Sequence, residues 1–322
     1  MFTGTPKGRI TWGQFEAERR VPEDHFLMRI NELIDLSPIE KALWEVYSDG
    51  MGRPAYPPLV LFKILLLQRF YNLSDVQVVE QLRYNFLFMR FVGLTLSDNP
   101  PDDTTIVRFR DRIEDRKILS NGLAFINGQL ERMGLLIKEG AVIDGTLVQA
   151  AVGPKAESKD PDARTTVREK GRGKNRRREI VHGYNVGAVV DKGTGFITRI
   201  MALPANAHDI NFLDLVNLEG TKELYGDKGF ADEKRKQRLR EQGVKPRLMF
   251  KGKRNRKLSS IERYHNKRWT GVRYIVEQTI AGMKRYCGLS RMMWMGLARA
   301  QLQAELSAIA FNCKRAMKLL CA

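Results

Sequence analysis

The sequence contains few cysteines and few histidines. Three cysteines and four histidines occur among 322 residues. Cys287, Cys313 and Cys321 are odd in number and show no C-x-x-C spacing, which favours free thiols in a reducing compartment over a disulfide framework. The histidines are scattered along the chain, so the sequence predicts no zinc site.

Long apolar runs are also absent. No uninterrupted apolar run exceeds four residues, whereas a helix that spans a bilayer needs ~20. The first residues, Met-Phe-Thr-Gly-Thr-Pro-Lys, lack the apolar segment of a secretory signal. We therefore expect a cytoplasmic protein with no membrane partner. Gly171–Asn175 lacks the spacing of a Walker loop, so we expect no nucleotide partner either.

Positive charge is concentrated in the second part of the chain. The sequence carries 55 Lys and Arg against 37 Asp and Glu, a net charge of +18. Residues 1–140 have 18 basic and 19 acidic side chains, whereas residues 141–322 have 37 and 18. Such an excess favours a polyanion as partner, because each Lys or Arg that neutralises a phosphate releases a counterion. Nucleic acid is therefore the expected partner.

Two basic runs supply much of this excess. Residues 164–178 contain eight basic residues and one acid, and residues 245–257 contain seven basic residues and no acid. Both contain glycine and little apolar periodicity, so we predict loops or mobile arms; a solvated surface loop without a ligand is the alternative. The basic residues of these runs that we expect to bind DNA are Arg172, Lys174, Arg176, Arg177, Arg178, Lys251, Lys253 and Arg254.

The first part of the chain is predicted to be helical. We assign residues 1–135 to an all-α domain for DNA binding and dimerisation. A helix can begin at Pro57-Pro58, since proline is tolerated in the first turn of a helix. Ser74-x-x-Gln77 has the pattern of a capping box, which predicts the start of another helix.

A further helix is predicted from Asp102 or Asp103 to about Lys117. Its Arg108 and Arg110 could contact DNA if the helix entered a major groove. The alternative is a solvated face on which the arginines pair with acids at neighbouring turns.

Residues 136–322 are predicted to form a mixed α/β domain that ends in long helices. Strands are expected over residues 141–152, 184–190, 196–203, 223–230 and 244–250, and helices around 209–218, over 232–242 and from about 261 to 320. The Asp-Lys-Gly-Thr-Gly segment at 191–195 predicts a hairpin between the second and third strands.

Three acids stand out in this basic domain. Asp144 and Asp227 occur at or near the predicted ends of strands, and Glu277 lies on a predicted helix between Arg273 and Lys284. For each acid, a purely structural role is the alternative to a catalytic one. Asp-Gly and Asp-Lys-Gly are typical of turns, and Glu277 could simply pair with Arg273. The combination of all three is a stronger indication than any one of them.

Three carboxylates that meet in a nucleic-acid-binding domain suit metal-dependent phosphoryl transfer. They can hold two divalent cations ~3.5 to 4 Å apart, which activate the attacking water or hydroxyl and stabilise the leaving oxygen. Mg²⁺ prefers oxygen ligands, and Mn²⁺ can substitute for it. We therefore predict Asp144, Asp227 and Glu277 as catalytic residues and metal ligands for two Mg²⁺ ions.

Several blocks of the chain resemble one enzyme family. Those blocks are Arg53-Pro54-x-Tyr56-Pro57-Pro58, Tyr71-Asn72-Leu73-Ser74-Asp75, Pro101-Asp102-Asp103-Thr104-Thr105, Asp144-Gly145-Thr146, His182-Gly183-Tyr184, Ala205-Asn206-Ala207-His208-Asp209, Gly226-Asp227-Lys228-Gly229-Phe230 and Val276-Glu277. The most specific is R-x3-E-x6-K, met by Arg273, Glu277 and Lys284. Together they resemble bacterial insertion-sequence transposases with a DDE triad, of the insertion-sequence-five type. Thr270 and Gly226 stand where relatives often have tyrosine and alanine.

The resemblance implies an RNase H-like catalytic domain, built on a mixed five-stranded sheet flanked by helices. It implies hydrolysis at the inverted-repeat ends of an element to free a 3′-OH, then attack of that hydroxyl on target DNA. Arg273 and Lys284 would bind phosphates near the cut. A homodimer or higher oligomer would hold both ends of the double-stranded DNA at the nucleoid.

Two other functions stay open from the sequence. A metal-dependent nuclease or resolvase would cut DNA and join nothing. A non-catalytic DNA-binding repressor derived from a transposase would not need the three carboxylates, and their joint presence argues against it.

Overall fold

The computed structural model describes residues 19–47, 56–114, 117–170, 177–216, 218, 220–252 and 256–320. They divide into two compact units. The first comprises the described residues up to 129 together with 286–288 and 309–320, and the second comprises 130–285 and 289–308. Of the helices in the described part of the chain, none has the length and apolar character needed to cross a membrane.

Helices form the described part of the chain before the sheet. They are α1 (Phe26–Leu33), α2 (Ser37–Trp44), α3 (Pro58–Tyr71), α4 (Asp75–Tyr84), α5 (Phe86–Val92), α6 (Asp103–Ile113) and α7 (Ile118–Arg132). Helix α3 is buried on almost every face, as its run of leucine and phenylalanine requires. It starts directly after Pro57 and ends at Asn72, whose left-handed conformation stops the helix.

The predicted capping box at the start of α4 is confirmed. Ser74 Oγ accepts a hydrogen bond from the Gln77 backbone at 3.2 Å, and Gln77 Oε1 accepts one from the Ser74 backbone at 2.9 Å. The start of α6 is confirmed as well, because the Asp102 side chain accepts a hydrogen bond from the Thr105 backbone at 2.7 Å. At the start of α4, the capping box thus provides side-chain acceptors for two backbone N–H groups that have no carbonyl partner within the helix.

The second part of the chain alternates strands and helices. The elements are β1 (Ala141–Gln149), β2 (Arg164–Lys170), β3 (Arg177–Asp191), β4 (Ile197–Pro204), α8 (Phe212–Leu215), β5 (Glu223–Gly226), α9 (Glu233–Glu241), β6 (Lys245–Leu248), α10 (Ser260–Tyr286) and α11 (Leu297–Leu320). Short 3-10 helices occur at Pro154–Lys159, Asp209–Asn211 and Lys228–Phe230.

The strands form one mixed sheet in the order β2-β3-β1-β5-β6, with β4 paired to β3. Strand β1 is antiparallel to β3 and parallel to β5, and β6 is parallel to β5. Parallel neighbours need a crossover, and helix α9 connects β5 to β6. The predicted fold class is confirmed: a mixed sheet flanked by helices and preceded by a helical region.

The sheet has six strands where five were predicted, and β2 is the additional one. The prediction of a loop or mobile arm is wrong for residues 164–170 and for Arg177 and Arg178. These residues pair antiparallel to each other in β2 and β3. The β-branched residues Thr165, Thr166 and Val167 fit an extended backbone, and the basic residues on either side of them, Arg164 and Arg168, hid this signal.

The helix predicted around residues 209–218 is shorter in the structure. A 3-10 turn at Asp209–Asn211 leads into the single turn of α8, and Val216 is already extended. Phe212 of α8 packs against Gly187 of β3, where an added Cβ would lie 2.6 Å from the ring. Phe212 belongs to the apolar core on this face of the sheet, together with Ile143, Val189 and Phe230.

The prediction of free thiols is confirmed for Cys287 and Cys313, which are both buried; Cys321 lies outside the described residues. The predicted apolar stripe along α10 is confirmed too. Val276, Ile280 and Met283 are buried.

Candidate active site

Three separate elements supply the predicted acids. Asp144 is the fourth residue of the nine in β1 and lies opposite Ala188 of β3 in the register. It is therefore inside a strand, which corrects the prediction of a position at a strand end and excludes the alternative of a turn at Asp144-Gly145.

Asp227 follows directly after β5, as predicted. Its side chain caps the 3-10 helix Lys228–Phe230 and accepts a hydrogen bond from the Lys228 backbone at 2.6 Å. A Cβ at the preceding Gly226 would lie 2.9 Å from Leu248 and 3.1 Å from Ile143. Glycine at this position thus fits the close packing of β5 between its two neighbouring strands.

Glu277 lies on α10, one turn after Arg273, and the Arg273 guanidinium contacts all three predicted acids. Nη2 lies 3.1 Å from Asp144 Oδ2 and 3.9 Å from Glu277 Oε1, and Nη1 lies 3.5 Å from Asp227 Oδ1. The Arg273 side chain is 12% exposed. Three acids that are far apart in the sequence therefore surround one buried cation.

The environment of Asp144 disfavours its charged form. Burial raises the pKa of Asp144 to about 6, although the Arg273 guanidinium and the Gly145 backbone N–H oppose this shift. The negative charge of Asp209 raises the same pKa further. A carboxylate that is partly buried and only partly compensated is a common feature of functional sites.

Asp209 is a residue to which the sequence analysis gave no role. It accepts a hydrogen bond from Asn185 Nδ2 at 2.6 Å, and its Oδ1 would lie 2.7 Å from a Cβ at Gly145. Asn185 also donates to the Ala207 carbonyl at 3.2 Å. The Asn185–Asp209 pair thus packs against the backbone next to Asp144. The sequence feature that could have pointed to Asp209 is the block Ala205–Asp209, one of those that resemble the transposase family.

The three acids surround a cation at distances longer than metal–ligand bonds. Oxygen ligands bind Mg²⁺ at about 2.0–2.1 Å. Among the described residues, no three His, Cys, Asp or Glu side chains are close enough to form a metal-binding group. The residue types nevertheless fit a hard divalent ion, since they supply carboxylate oxygens around a point that already holds positive charge.

Lys284 and Thr270 make contacts within the protein. Lys284 Nζ donates to the Leu147 carbonyl of β1 at 2.8 Å. Thr270 Oγ1 donates to the Asn266 carbonyl one turn earlier on α10 at 2.8 Å. The predicted phosphate contact of Lys284 stays a prediction, and its observed contact holds α10 against the strand that carries Asp144.

Part of the predicted DNA-binding set can be placed. Arg177 and Arg178 are exposed at the start of β3, and Lys251 is exposed after β6. Arg172, Lys174, Arg176, Lys253 and Arg254 lie outside the described residues.

A basic cavity of about 610 Å³ lies between the start of α9 and the segment after β6. Lys251, Arg256 and Lys257 line it, and so does the half-buried ring of Phe250. Asn266 of α10 fixes Phe250 by two hydrogen bonds to its backbone, of 2.8 and 3.1 Å. Met249, the residue before Phe250, touches Arg273 through its sulfur at 3.7 Å. The cavity is therefore close to the acids.

The two arginines predicted for DNA contact on α6 differ in their surroundings. Arg108 is exposed. Arg110 is 5% exposed, and its two terminal nitrogens donate to both oxygens of Asp75 at 2.9 and 3.2 Å. The structure does not support the predicted DNA contact of Arg110, because a buried guanidinium held by a carboxylate does not face solvent.

Two family models match the sequence. One is described as "Transposase domain (DUF772)" and matches residues 15–112. The other is described as "Transposase DDE domain" and matches residues 136–313, which is more than half of the chain. Among solved structures, the chain is similar to the cryo-EM structure of a piggyBac transposase synaptic complex with hairpin DNA. The identity is 10% and the TM-score is 0.43, and the match covers 92% of this chain and 74% of that chain.

Proposed function

The chain belongs to the family of DDE-domain DNA transposases, and on that premise we propose that Asp144, Asp227 and Glu277 are its catalytic metal ligands. The reaction is strand cleavage at the inverted-repeat ends of an insertion sequence and transfer of the freed 3′-OH into target DNA. Membership of the insertion-sequence-five type remains a prediction.

One observation supports this proposal above the others. The side chains of Asp144, Asp227 and Glu277 all lie within 3.9 Å of one guanidinium, although they come from a strand interior, a strand end and a helix. Three acids around one cation leave an excess of negative charge, and such an excess attracts further cations. The arrangement suits divalent ions better than it suits a purely structural ion pair.

The protein's part of the reaction is to hold charge in fixed positions. Asp144 is fixed within β1, and Asp227 is fixed by its bond to the Lys228 backbone. When bound, two Mg²⁺ or Mn²⁺ ions would activate the attacking water or 3′-hydroxyl and stabilise the leaving oxygen. Exchange of one phosphodiester for another needs no nucleotide.

We place the DNA along exposed basic residues of the second unit. Arg177, Arg178 and Lys251 are exposed, and Lys251 lines the basic cavity together with Arg256 and Lys257. Exposed arginines and lysines bind phosphates regardless of sequence, so these residues position the duplex. Arg108 is a further candidate in the first unit, and Arg110 is not.

The assembly and location follow from the proposed reaction. Two ends of an element must be held together, so we propose that a homodimer or higher oligomer acts on double-stranded DNA. The chromosome is the substrate, which places the protein in the cytoplasm at the nucleoid.

The test is to incubate the full chain with Mg²⁺ or Mn²⁺, a target plasmid and DNA that carries the sequences flanking its own gene. We expect new 3′-OH ends at the element's borders and products in which these ends are joined to the plasmid. Cleavage without joining would indicate a nuclease or resolvase, and binding without cleavage would indicate a repressor.

The variants Asp144→Asn, Asp227→Asn and Glu277→Gln should reduce cleavage and joining to the level seen without divalent metal. DNA binding should persist, since each change removes a metal ligand and no phosphate contact. Asp214→Asn is the matched control: this carboxylate pairs with Arg235 and Arg238 outside the acid cluster, so cleavage should stay at the wild-type rate. Wild-type cleavage by any of the three variants would refute the role of that residue.

A further inference from the structure

The positively charged guanidinium of Arg273 lies among the three carboxylates of the candidate site. Its guanidinium lies 3.1 to 3.9 Å from oxygens of Asp144, Asp227 and Glu277. Its Nε atom is buried and has no hydrogen-bond partner in the described part of the chain. The guanidinium is thus held mainly by charge and not by a complete set of hydrogen bonds.

The acids are spaced for a guanidinium and not for an ion. Coordination of Mg²⁺ requires oxygens at about 2.0–2.1 Å from one centre, and the nitrogen–oxygen distances here are at least 3.1 Å. For an ion to bind all three carboxylates, the oxygens must close in on the volume that the guanidinium now fills. Arg273 and a bound ion therefore compete for the same space.

Charge leads to the same conclusion. One guanidinium offsets one of the three carboxylates, whereas a single divalent ion offsets two. Keeping Arg273 beside such an ion would place like charges in contact, and contact between like charges is unfavourable. Opposite charge attracts the ions, and repulsion drives the arginine away.

The arginine has a route out of the cluster. Asp144 is 18% exposed, whereas Asp227 is 38% and Glu277 is 58% exposed, so the cluster opens to solvent on their side. Within the described part of the chain, the other polar contact of Arg273 is with the Met249 sulfur at 3.7 Å. A thioether is a weak acceptor, so this contact offers little resistance to movement.

We propose that Arg273 is a positioning residue that takes the place of the metal ions: it holds the three acids together before metal binds and leaves the cluster when metal binds. This inference rests on the proposed function in one respect, namely that the three acids are the metal ligands.

The first test is calorimetric titration of the full chain with Mn²⁺ in the absence of DNA. Arg273→Gln should bind Mn²⁺ about tenfold more tightly than wild type, because the ion no longer displaces a charge-assisted contact. Arg273→Lys keeps the positive charge and should remain closer to wild type. A residue with a merely structural role would give the opposite result, since its loss would disorder the ligands and weaken binding.

Arg247→Gln is the matched control. Arg247 on β6 is also an arginine in an ion pair, 3.1 Å from Glu223, which begins β5, whereas Asp227 follows the end of that strand. Its Mn²⁺ affinity should equal that of wild type. Failure of wild type to bind Mn²⁺ would contradict the proposed function. Binding by wild type without tighter binding by Arg273→Gln would contradict this inference alone.

The second test needs no variant. Phenylglyoxal modifies accessible arginines, and mass spectrometry of the wild-type chain can follow each one. Mg²⁺ should increase the modification of Arg273 several-fold, while the buried Arg110 should stay unmodified with and without Mg²⁺. Equal modification of Arg273 in both conditions, in protein that binds Mn²⁺, would show that the arginine does not leave.

Discussion

Each unit contains an arginine that is at most 12% exposed and is paired with one or more carboxylates, and the two clusters differ in their balance of charge. In the first unit, Arg110 forms a two-pronged pair with Asp75, and Gln68 donates to the same carboxylate at 2.7 Å. In the second unit, one guanidinium is shared among three carboxylates, and only the contact with Asp144 has hydrogen-bond geometry.

The difference separates a structural ion pair from a cluster that we propose to be functional. The Arg110–Asp75 pair has a two-pronged geometry and lies beside a second buried arginine, Arg69, so this cluster has no excess of negative charge that a further cation could offset. The Arg273 cluster has two more negative charges than positive ones, which is costly for folding unless further cations bind. Natural proteins retain unfavourable charge arrangements of this kind chiefly at functional sites.

The largest effect on stability is expected from breaking the Arg110–Asp75 pair. Asp75→Asn leaves the Arg110 charge buried without its counter-ion and should lower the free energy of unfolding by about 3–5 kcal/mol. Urea denaturation of the full chain measures this loss. Glu80→Gln, an exposed position on the same helix, should change the free energy by less than about 0.5 kcal/mol.

A double variant sharpens the interpretation of this loss. Asp75→Leu combined with Arg110→Met replaces the pair by apolar side chains and should recover part of the stability. Arg110 is then no longer buried without its counter-ion, whereas the buried Arg69 still lacks the charge of Asp75. A loss below about 1 kcal/mol in Asp75→Asn would mean that water reaches Arg110, and the contrast between the clusters would then disappear.

The acid cluster should respond in the opposite direction. The pKa of Asp144 is about 6 in the folded protein, against an ordinary value of 3.8 for an aspartate in an unfolded chain. The folded state therefore binds more protons between these values, and wild-type stability falls as the pH rises from about 4 to above 6. In EDTA at pH 7.5, Asp144→Asn should be more stable than wild type by about 2–3 kcal/mol.

The pH dependence is the check on this prediction. At pH 4 the wild-type carboxyl is largely protonated, so the advantage of Asp144→Asn should vanish; an equal advantage at both pH values would exclude ionisation as its cause. Asp214→Asn should behave in the reverse way. Its contacts with Arg235 and Arg238 lower the pKa of Asp214, so that variant should lose stability at pH 7.5.

The smallest effect on stability is expected from the capping boxes, one of which begins a helix in each unit. Ser74 and Gln77 form a capping box at the start of the helix that carries Asp75, and Ser259 and Glu262 exchange the same two bonds at the start of α10. Ser74→Ala and Ser259→Ala should each cost about 1 kcal/mol in urea denaturation. A cap that can be removed from either helix without loss would mean that packing alone fixes that helix start.

Local signals in the sequence predicted most elements of the fold. The capping box at Ser74, the aspartate cap of α6 and the hairpin between β3 and β4 depend on neighbours within a few residues, which a sequence displays directly. Strand β2 was missed because its Thr-Thr-Val core is short and lies among charged residues. The helix at 209–218 was overestimated, since the chain is already extended at Val216.

The site was predicted in its residue types and not in its contacts. Asp144, Asp227 and Glu277 became candidates through their positions in a basic domain, and the resemblance to the transposase family, which the matching family models confirm, supported that choice. The position of Asp144 inside β1 was not foreseen, because Asp-Gly is typical of turns. The burial of Arg110 and the contacts of Arg273 with Asp144 and Asp227 depend on long-range packing, which no spacing pattern reveals; the i, i+4 spacing of Arg273 and Glu277 was visible in the sequence.

Anomalous diffraction from crystals soaked in Mn²⁺ is the most direct test of the central claim. We predict Mn²⁺ peaks within about 2.2 Å of carboxylate oxygens of Asp144, Asp227 and Glu277. Manganese bound elsewhere, with all three carboxylates outside its coordination shell in protein that cleaves DNA, would contradict the account.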